Sequence, residues 1–300
     1  MKKSLKKIVS LGLAIALTLG LTACGDSVAS ASGQGSTEDG VRTIYYAFTT
    51  NSLNSYIDEN GNPDGYEYAA VKAVFDQLPQ YRLEFVPTSD EDVIVGLESG
   101  RYDIGTKGAW WTAEREENFV FPEHYIGSSI IGITYRTEDE GKFTDLESFA
   151  KWVIDNDGRG LVPISPQNAQ YNVVVNYNNN HPDAQINLTE LDIFGSNDAY
   201  QWVLEGRYDA YFDIRSVFDT RVLAEDGEYH QYADQLSYIT YEAIPTWAFF
   251  HKNNQDVADE FDRVWEELNE QGVFEELAQQ YFGYSLFEYV PEGYKKGDDY

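Results

Sequence analysis

The chain has 300 residues, a formal net charge of −30, and aromatic residues at 15% of its positions. So many aromatic residues exclude an intrinsically disordered chain, and so strong a negative charge disfavours binding to nucleic acid or to anionic lipid head groups. Its single cysteine, Cys24, excludes a disulfide framework within the chain, so the stability of the fold must come from packing.

The first 23 residues have the features of a secretory signal peptide. Four lysines among the first seven residues precede a mostly apolar stretch, residues 8–21, that is too short to span a bilayer. Leu21-Thr22-Ala23-Cys24 resembles a bacterial lipobox, which implies cleavage before Cys24 and a lipid on its sulfur. An ordinary signal peptide that happens to contain a cysteine is the alternative. Residues 24–41 are predicted to form the lipidated cysteine and a flexible linker.

Strands and helices alternate after the linker. The predicted elements are strands at 42–48, at 81–87 and from 104, and helices at 67–78 and 90–99. In the first helix, Val71, Val74, Phe75 and Leu78 share one face. This β-α-β-α-β order predicts a mostly parallel sheet with helices on both faces.

The same alternation restarts after a β-branched run at residues 129–136. The predicted elements are helices at 145–155, from 166 and at 196–204, and strands at 160–164 and 186–193. Leu204-Glu-Gly-Arg-Tyr-Asp209 closely repeats Leu97-Glu-Ser-Gly-Arg-Tyr-Asp103, and both copies lie where a helix leads into a strand. We therefore predict an α/β fold with two lobes of similar construction, closed by amphipathic helices, a terminating Gly283 and a loose charged tail.

Several segments together resemble the extracytoplasmic solute-binding proteins (family 3 type) of amino-acid ABC transporters. These segments are Gly65-Tyr-Glu-Tyr-Ala-Ala-Val-Lys72, Leu97-Glu-Ser-Gly-Arg-Tyr-Asp103, Thr112-Ala-Glu-Arg115, Phe121-Pro-Glu-His-Tyr125 and Gly272-Val-Phe-Glu-Glu-Leu-Ala-Gln-Gln-Tyr-Phe-Gly283. Each segment is a weak signal alone, but their order and spacing follow the family over nearly all of residues 42–284. The Gly-Tyr-Glu-Tyr stretch is more similar to the cystine-type branch.

The resemblance implies a two-lobed periplasmic-binding-protein-like (type II) "Venus flytrap" with hinge strands. Lobe 1 is expected at residues 42–130 and 245–290, lobe 2 at 131–244, and a tail at 291–300. The ligand is expected to bind between the lobes.

An α-amino acid presents a carboxylate and an ammonium group one carbon apart, so a specific site must bind both. Arg115 can hold the carboxylate with two charge-assisted hydrogen bonds. Its acidic neighbours would equally suit a surface arginine, but the family pattern Gly-x-x-x-Thr-x-Glu-Arg, here residues 108–115, favours the ligand role. The resemblance further implies that Gly108 offers a backbone carbonyl to the ammonium group and Trp110 a backbone N–H to the carboxylate. The family usually has a small hydroxyl residue where this chain has Trp110.

Of the adjacent pair Trp110 and Trp111, one is expected in a lobe core and the other against the ligand's side chain. Asn51 is expected in the lobe 1 wall of the site, where the family's usual aromatic residue is missing.

Lobe 2 is expected to contribute a helix N-terminus and an acid. A helix predicted from Pro166 has free N–H groups that favour an anion. Gln167 and Asn168 stand where the family usually has Gly-Thr. The acid that meets the ammonium group usually lies five residues after an Asp-Ala pair, a place that Ile214 occupies here. Asp213, one residue earlier, is therefore the candidate, although a one-residue shift in a strand changes the face.

The sequence predicts no enzyme, cofactor or metal site. Its four histidines are scattered without metal-ligand spacing, no Gly-x-Ser-x-Gly motif occurs, and the Asp- and Asn-rich turn at 58–65 lacks the Gly and Glu of a calcium loop. A binding protein for a sugar or an organic acid is one alternative, and a lyase on the same fold is another. The sequence thus predicts a monomeric, lipid-anchored extracytoplasmic protein that captures an amino acid for the membrane permease of an ABC importer.

Overall fold

The computed structural model describes residues 37, 38, 40–50, 54–166, 169–189 and 196–298. Within these residues the strands are β1 (Thr37–Glu38), β2 (Val41–Thr49), β3 (Tyr56–Ile57), β4 (Pro63–Asp64), β5 (Tyr81–Thr88), β6 (Ile104–Ala109), β7 (Phe119–Val120), β8 (Gly127–Arg136), β9 (Ala210–Ile214) and β10 (Leu236–His251). The α-helices are α1 (Tyr66–Phe75), α2 (Asp90–Glu98), α3 (Ala113–Glu116), α4 (Leu146–Asp155), α5 (Ala169–Asn180), α6 (Ser196–Leu204), α7 (Arg215–Phe218), α8 (Gln255–Glu270) and α9 (Val273–Phe282). Short 3-10 turns lie at Thr137–Asp139 and His230–Tyr232, and a π-helical stretch at Asp219–Leu223.

The long strand β10 joins two halves of one mixed sheet. Its end, residues 247–250, pairs antiparallel with β6, and β2 lies parallel between β6 and β5. Its beginning pairs antiparallel with β8, which in turn pairs antiparallel with β9. At about 3.3 Å per residue, a strand of 16 residues extends for roughly 50 Å, which is enough to run through both halves.

These halves are the two lobes. Lobe 1 contains β2, β5 and β6 with α1, α2, α8 and α9, and lobe 2 contains β9 with α4–α7. The strands β8 and β10 pass between the lobes as hinge strands, from the pair Gly127–Thr246 to the pair Arg136–Leu236. The predicted boundaries at 130/131 and 244/245 fall inside these two strands.

The core of lobe 1 lies between its sheet and its helices. The predicted α1 face is confirmed, since Val71, Val74, Phe75 and Leu78 are all buried. In α8, the apolar residues at helical spacing are buried in the same cluster: Val257, Phe261, Val264, Trp265 and Leu268. Gly283 ends α9 with a left-handed backbone, as predicted. Local periodicity was enough to place these helices.

Lobe 2 differs from the prediction in its strands. Instead of a strand at 160–164, the chain forms a single parallel bridge between Leu161 and Ala210. Residues 186–189 form no strand, and the rest of that predicted strand, residues 190–193, lies outside the described residues. A core still forms, because Ile131, Phe149, Val174 and Phe212 are buried together.

The tail after α9 packs on lobe 1, where the sequence predicted a loose segment. The Tyr294 ring contacts the rings of Trp247 and Tyr125, with centroids 6.4 Å apart in each case. The Lys296 ammonium lies 2.8 Å from a Glu123 carboxylate oxygen and 3.3 Å from one of Glu116. An aromatic anchor and a half-buried cation therefore hold this segment on an acidic surface.

Candidate functional site

Three of the predicted ligand-binding residues lie together where β6 leads into α3. Gly108 lies near the end of β6, Trp110 follows it, and Arg115 lies in the single turn of α3. This turn forms because Thr112 is its N-cap, with a side-chain oxygen that accepts the Arg115 N–H at 3.2 Å. The motif thus fixes the backbone that carries the arginine.

The Arg115 side chain is half-buried at a cleft between the lobes. Its Nη1 donates to the Trp110 carbonyl oxygen at 2.6 Å, which is its one side-chain hydrogen bond within the described residues. A guanidinium carries five N–H donors, so this bond orients the group and leaves donors for a carboxylate.

The cleft beside Arg115 has a volume of about 470 Å³, within the range of small-molecule sites. Lobe 1 contributes Ile94, Glu98, Lys107, Trp110 and Arg115 to its lining. Lobe 2 contributes Asn172 from α5, a residue that the sequence analysis did not single out. Asn172 comes about one helical turn after the predicted site residues Gln167 and Asn168, and this spacing could have indicated that it belongs to the same site.

Trp110 connects the two lobes. Its indole is 7% exposed and packs in the apolar cluster of lobe 2 with Ile131 and Ile244. Its Nε1 donates to the Ser129 hydroxyl on β8 at 3.1 Å. Trp111 packs instead against the lobe 1 cluster that contains Trp247. Trp110 is thus the one of the pair whose indole lies deep in a core, and that core belongs to the opposite lobe.

Gly108 is held by a buried acid that the sequence analysis missed. Its N–H donates to Oε1 of Glu67, on α1, at 2.9 Å. The Glu67 side chain is almost fully buried, and this burial raises the pKa of its carboxyl group to about 7. The available signal was an acidic residue on the same side of α1 as the apolar and aromatic residues that are buried there, next to Tyr66 and Ala70.

Asp213 lies inside lobe 2. Its Oδ2 accepts the Tyr200 hydroxyl at 2.7 Å and the Thr134 hydroxyl at 3.0 Å, and its Oδ1 accepts the Ile214 N–H. Burial raises its pKa to about 7. Ile214, at the family's usual spacing, packs instead against the cluster that includes Trp110. Contact between Asp213 and an ammonium group stays a prediction, and three donors already occupy most of the acceptor positions of this buried carboxyl group.

The other predicted positions, Asn51, Gln167, Asn168 and Cys24, lie outside the described residues. In the described part of the chain, His, Cys, Asp and Glu side chains form no group of three that could hold a metal ion. No helix among the described residues is long and apolar enough to cross a bilayer.

A second surface cavity, about 330 Å³, lies beside Arg136 on lobe 2. The Arg136 guanidinium donates to the carbonyl oxygens of Val203 and Tyr208 and pairs with Asp139 at 2.8 Å. Because the donors of this arginine are used by partners within lobe 2, the cleft beside Arg115 is the better candidate for a ligand site.

Two lobes joined by long hinge strands, with an arginine at the cleft between them, are the architecture of a class of proteins that bind a small solute between two lobes. Residues 47–284 match the family described as bacterial extracellular solute-binding proteins, family 3, so this chain belongs to that family. The type II two-lobed fold expected from the sequence is thereby confirmed, as is the relationship to amino-acid and cystine transport proteins.

Individual relatives agree with this assignment. The chain is 24% identical over 229 residues to the L-cystine-binding protein TcyJ of Bacillus subtilis, covering 76% of this chain and 79% of TcyJ. It resembles the structure of the probable amino-acid ABC transporter extracellular-binding protein YtmK of Bacillus subtilis, with a TM-score of 0.65, 20% identity and coverage of 81% and 98%. It also resembles the ancestral amino acid-binding protein AncCDT-1, a precursor of cyclohexadienyl dehydratase, with a TM-score of 0.52, 20% identity and coverage of 80% and 95%.

Proposed function

We propose that this chain captures an α-amino acid, with L-cystine as the leading candidate, and delivers it to the permease of an ABC importer. The observation that carries the proposal is Arg115, oriented by the Trp110 carbonyl at a cleft that both lobes line. The ligand class is taken from the relatives, which include an L-cystine-binding protein and a probable amino-acid ABC transporter binding protein. The lipobox supports an extracytoplasmic protein that is tethered to the membrane through Cys24, and the proposed form is a monomer.

The arginine gives the ligand's carboxylate a fixed, charge-assisted partner on lobe 1. Asn172 of lobe 2 lines the same cleft. A ligand that contacts both lobes binds the closed conformation better than the open one, and so shifts the equilibrium towards closure. The closed form is then the one presented to the permease, whose ATPase supplies the energy of transport.

A thermal-shift screen tests the ligand class. The chain from residue 25 onward is mixed with L-cystine and the common amino acids, with sugars and dicarboxylates as comparison compounds. Ligand at 100 times its Kd stabilises the protein by about 2.7 kcal/mol, which is readily visible as a rise in Tm. A shift with one or a few α-amino acids supports the proposal. A shift only with a sugar or a simple dicarboxylate would replace it by one of the alternatives, and turnover of the bound compound would point to a lyase.

The variant Arg115→Ala tests the site. Removing one side of a desolvated charge pair should weaken ligand binding by about 2–5 kcal/mol, measured by isothermal titration calorimetry. Arg263→Ala is the matched control, because Arg263 is exposed on α8 and pairs only with Glu260 and Glu267 among the described residues. Equal affinity in the Arg115 variant and the wild type would refute the site.

A further inference from the structure

A small cavity lies between the lobes, beside Ser129 of the hinge strand β8. Its volume of about 20 Å³ accommodates one small group, such as a water molecule or an ammonium group. Its lining includes Asn54 and Glu67 of lobe 1, Ser129 of the hinge strand β8, and Ser216 of lobe 2. Because both lobes and the hinge contribute, the cavity is complete only when the lobes are together.

Glu67 is the one acidic residue among the described residues that line this cavity. Its side chain is 3% exposed, and it accepts hydrogen bonds from the Gly108 N–H and the Thr106 hydroxyl. No basic side chain of the described residues forms an ion pair with it, and the charge that contributes to its raised pKa is the like charge of Asp90. A buried carboxylate without a cation is costly, so this group favours any ligand that brings a positive charge.

The cavity is connected to the Arg115 cleft through a short run of hydrogen bonds. Ser129, which lines the cavity, accepts the Trp110 Nε1–H, and the Trp110 carbonyl in turn accepts from Arg115. Gly108, bonded to Glu67, is two residues before Trp110 on the same strand end. The acid and the arginine are therefore fixed by one continuous piece of backbone, whereas Asp213 is held inside lobe 2 by three other donors.

We propose that Glu67, with Asn54, Ser129 and Ser216 around it, forms the subsite that receives the ligand's ammonium group when the lobes close. This inference rests on the proposed function, and it assigns the role to lobe 1 where the sequence pointed to Asp213. The carboxylate supplies the charge, and the hydroxyl and carboxamide oxygens can accept the remaining ammonium hydrogens.

A matched pair of ligands tests the subsite. The two probes are L-cystine and 3,3′-dithiodipropionate, which is cystine without its ammonium groups. The wild type should prefer cystine by about tenfold or more, and Glu67→Gln should lose most of that preference through weaker cystine binding. The glutamine keeps an oxygen for the Gly108 N–H, so the change isolates the charge. Glu242→Gln, a half-buried acid on β10 outside the cavity, is the control and should keep the preference.

Proton release gives a readout that a purely structural role would not move. The groups that face Glu67 are the hydroxyls of Tyr46, Tyr66 and Thr106 and the Asp90 charge. At pH 7 the carboxyl is about half protonated, so binding an ammonium group there should release about half a proton per ligand. Calorimetry in buffers of different ionisation enthalpy measures this release, which should vanish in Glu67→Gln.

Ser216→Ala keeps the test valid if Glu67→Gln folds poorly. It should weaken cystine binding several-fold and leave dithiodipropionate binding unchanged. An undiminished cystine preference in either variant overturns the inference, as does loss of the preference in Asp213→Asn but not in Glu67→Gln. A wild type that binds neither compound would instead remove L-cystine as the ligand, and the cystine subsite inferred here with it.

Discussion

Lobe 1 and lobe 2 build the same junction from the same four residues. Gly100 and Gly206 each end a helix with a left-handed backbone, and the following arginine N–H bonds to a carbonyl five residues back, at 2.8 and 2.9 Å. Asp103 then donates its N–H to the Tyr45 carbonyl, and Asp209 donates to that of Gly160. The repeated motif therefore ties the end of a helix to a neighbouring extended segment in lobe 1 and to the Gly160 turn in lobe 2.

The two junctions differ in how the aspartate side chain is held. Asp103 accepts the Tyr45 N–H on one oxygen and the Asn254 Nδ2–H on the other, so two sides of the carboxylate are used. Asp209 accepts two backbone N–H groups, of Arg159 and Gly160, on a single oxygen. Lobe 1 is thus tied to the segment that returns before α8, whereas lobe 2 is tied within itself.

Each lobe also buries one carboxyl group with a pKa near 7, Glu67 in lobe 1 and Asp213 in lobe 2. Both groups keep a proton in the folded state at pH values where the unfolded chain has lost it. The contribution of these two groups to the free energy of unfolding should therefore be fully present below about pH 4, and it should fall by about 1.4 kcal/mol per pH unit for each group as the pH rises towards 7. This is the largest effect that we expect.

Urea unfolding between pH 4.5 and 7.5 measures this slope in the wild type, Glu67→Gln and Asp213→Asn. In each variant the free energy of unfolding should depend less steeply on pH than in the wild type, because one of the two carboxyl groups that bind a proton is gone. Glu138→Gln, an exposed change, serves as the control. Parallel pH profiles for the wild type and both variants would contradict the assignment.

The next largest effect separates the two junctions. Asp103→Asn places an NH₂ group against either the Tyr45 N–H or the Asn254 Nδ2–H, two donors facing each other, and should cost about 2–3 kcal/mol. Asp209→Asn can keep its oxygen on both backbone N–H groups and loses mainly the attraction of Arg136, 3.6 Å away. It should cost about 1 kcal/mol. Urea unfolding of both variants would reveal equal or reversed costs if this reasoning were wrong.

Much of this architecture could be predicted because it is encoded locally. The faces of α1 and α8 follow from helical spacing, and the repeated junction follows from a short string with a glycine in place. The 16-residue strand β10 could not be predicted, because a strand that runs through two lobes has partners on both sides of the hinge and no single alternation.

The site was harder to predict than the fold. The Arg115 turn was found because Thr112 and Arg115 are neighbours in sequence. The contact of Trp110 with lobe 2 depends on residues far away in the chain, which no local pattern records. The burial of Glu67 could be inferred from its place on α1, but its hydrogen bond with Gly108 could not. The surroundings of Asp213 follow from the alternation of side chains along β9. Phe212 and Ile214 face the cluster that contains Trp110, whereas Asp213 faces Tyr200.

The smallest effect tests whether the junctions are equivalent at the level of the backbone. Gly100 and Gly206 have φ angles of +71° and +66°, a region where a Cβ atom is strained. Alanine at either position should cost about 1 kcal/mol in urea unfolding, nearly the same in both lobes. A Cβ atom on Gly206 would come no closer than 3.9 Å to Arg136, so this cost comes from the backbone and not from a clash. Gly141→Ala, at a similar φ of +82° with open space around it, gives the reference for strain alone. If either junction variant lost much more than this reference, its glycine would be required for packing as well as for the turn, and the two junctions would no longer be equivalent.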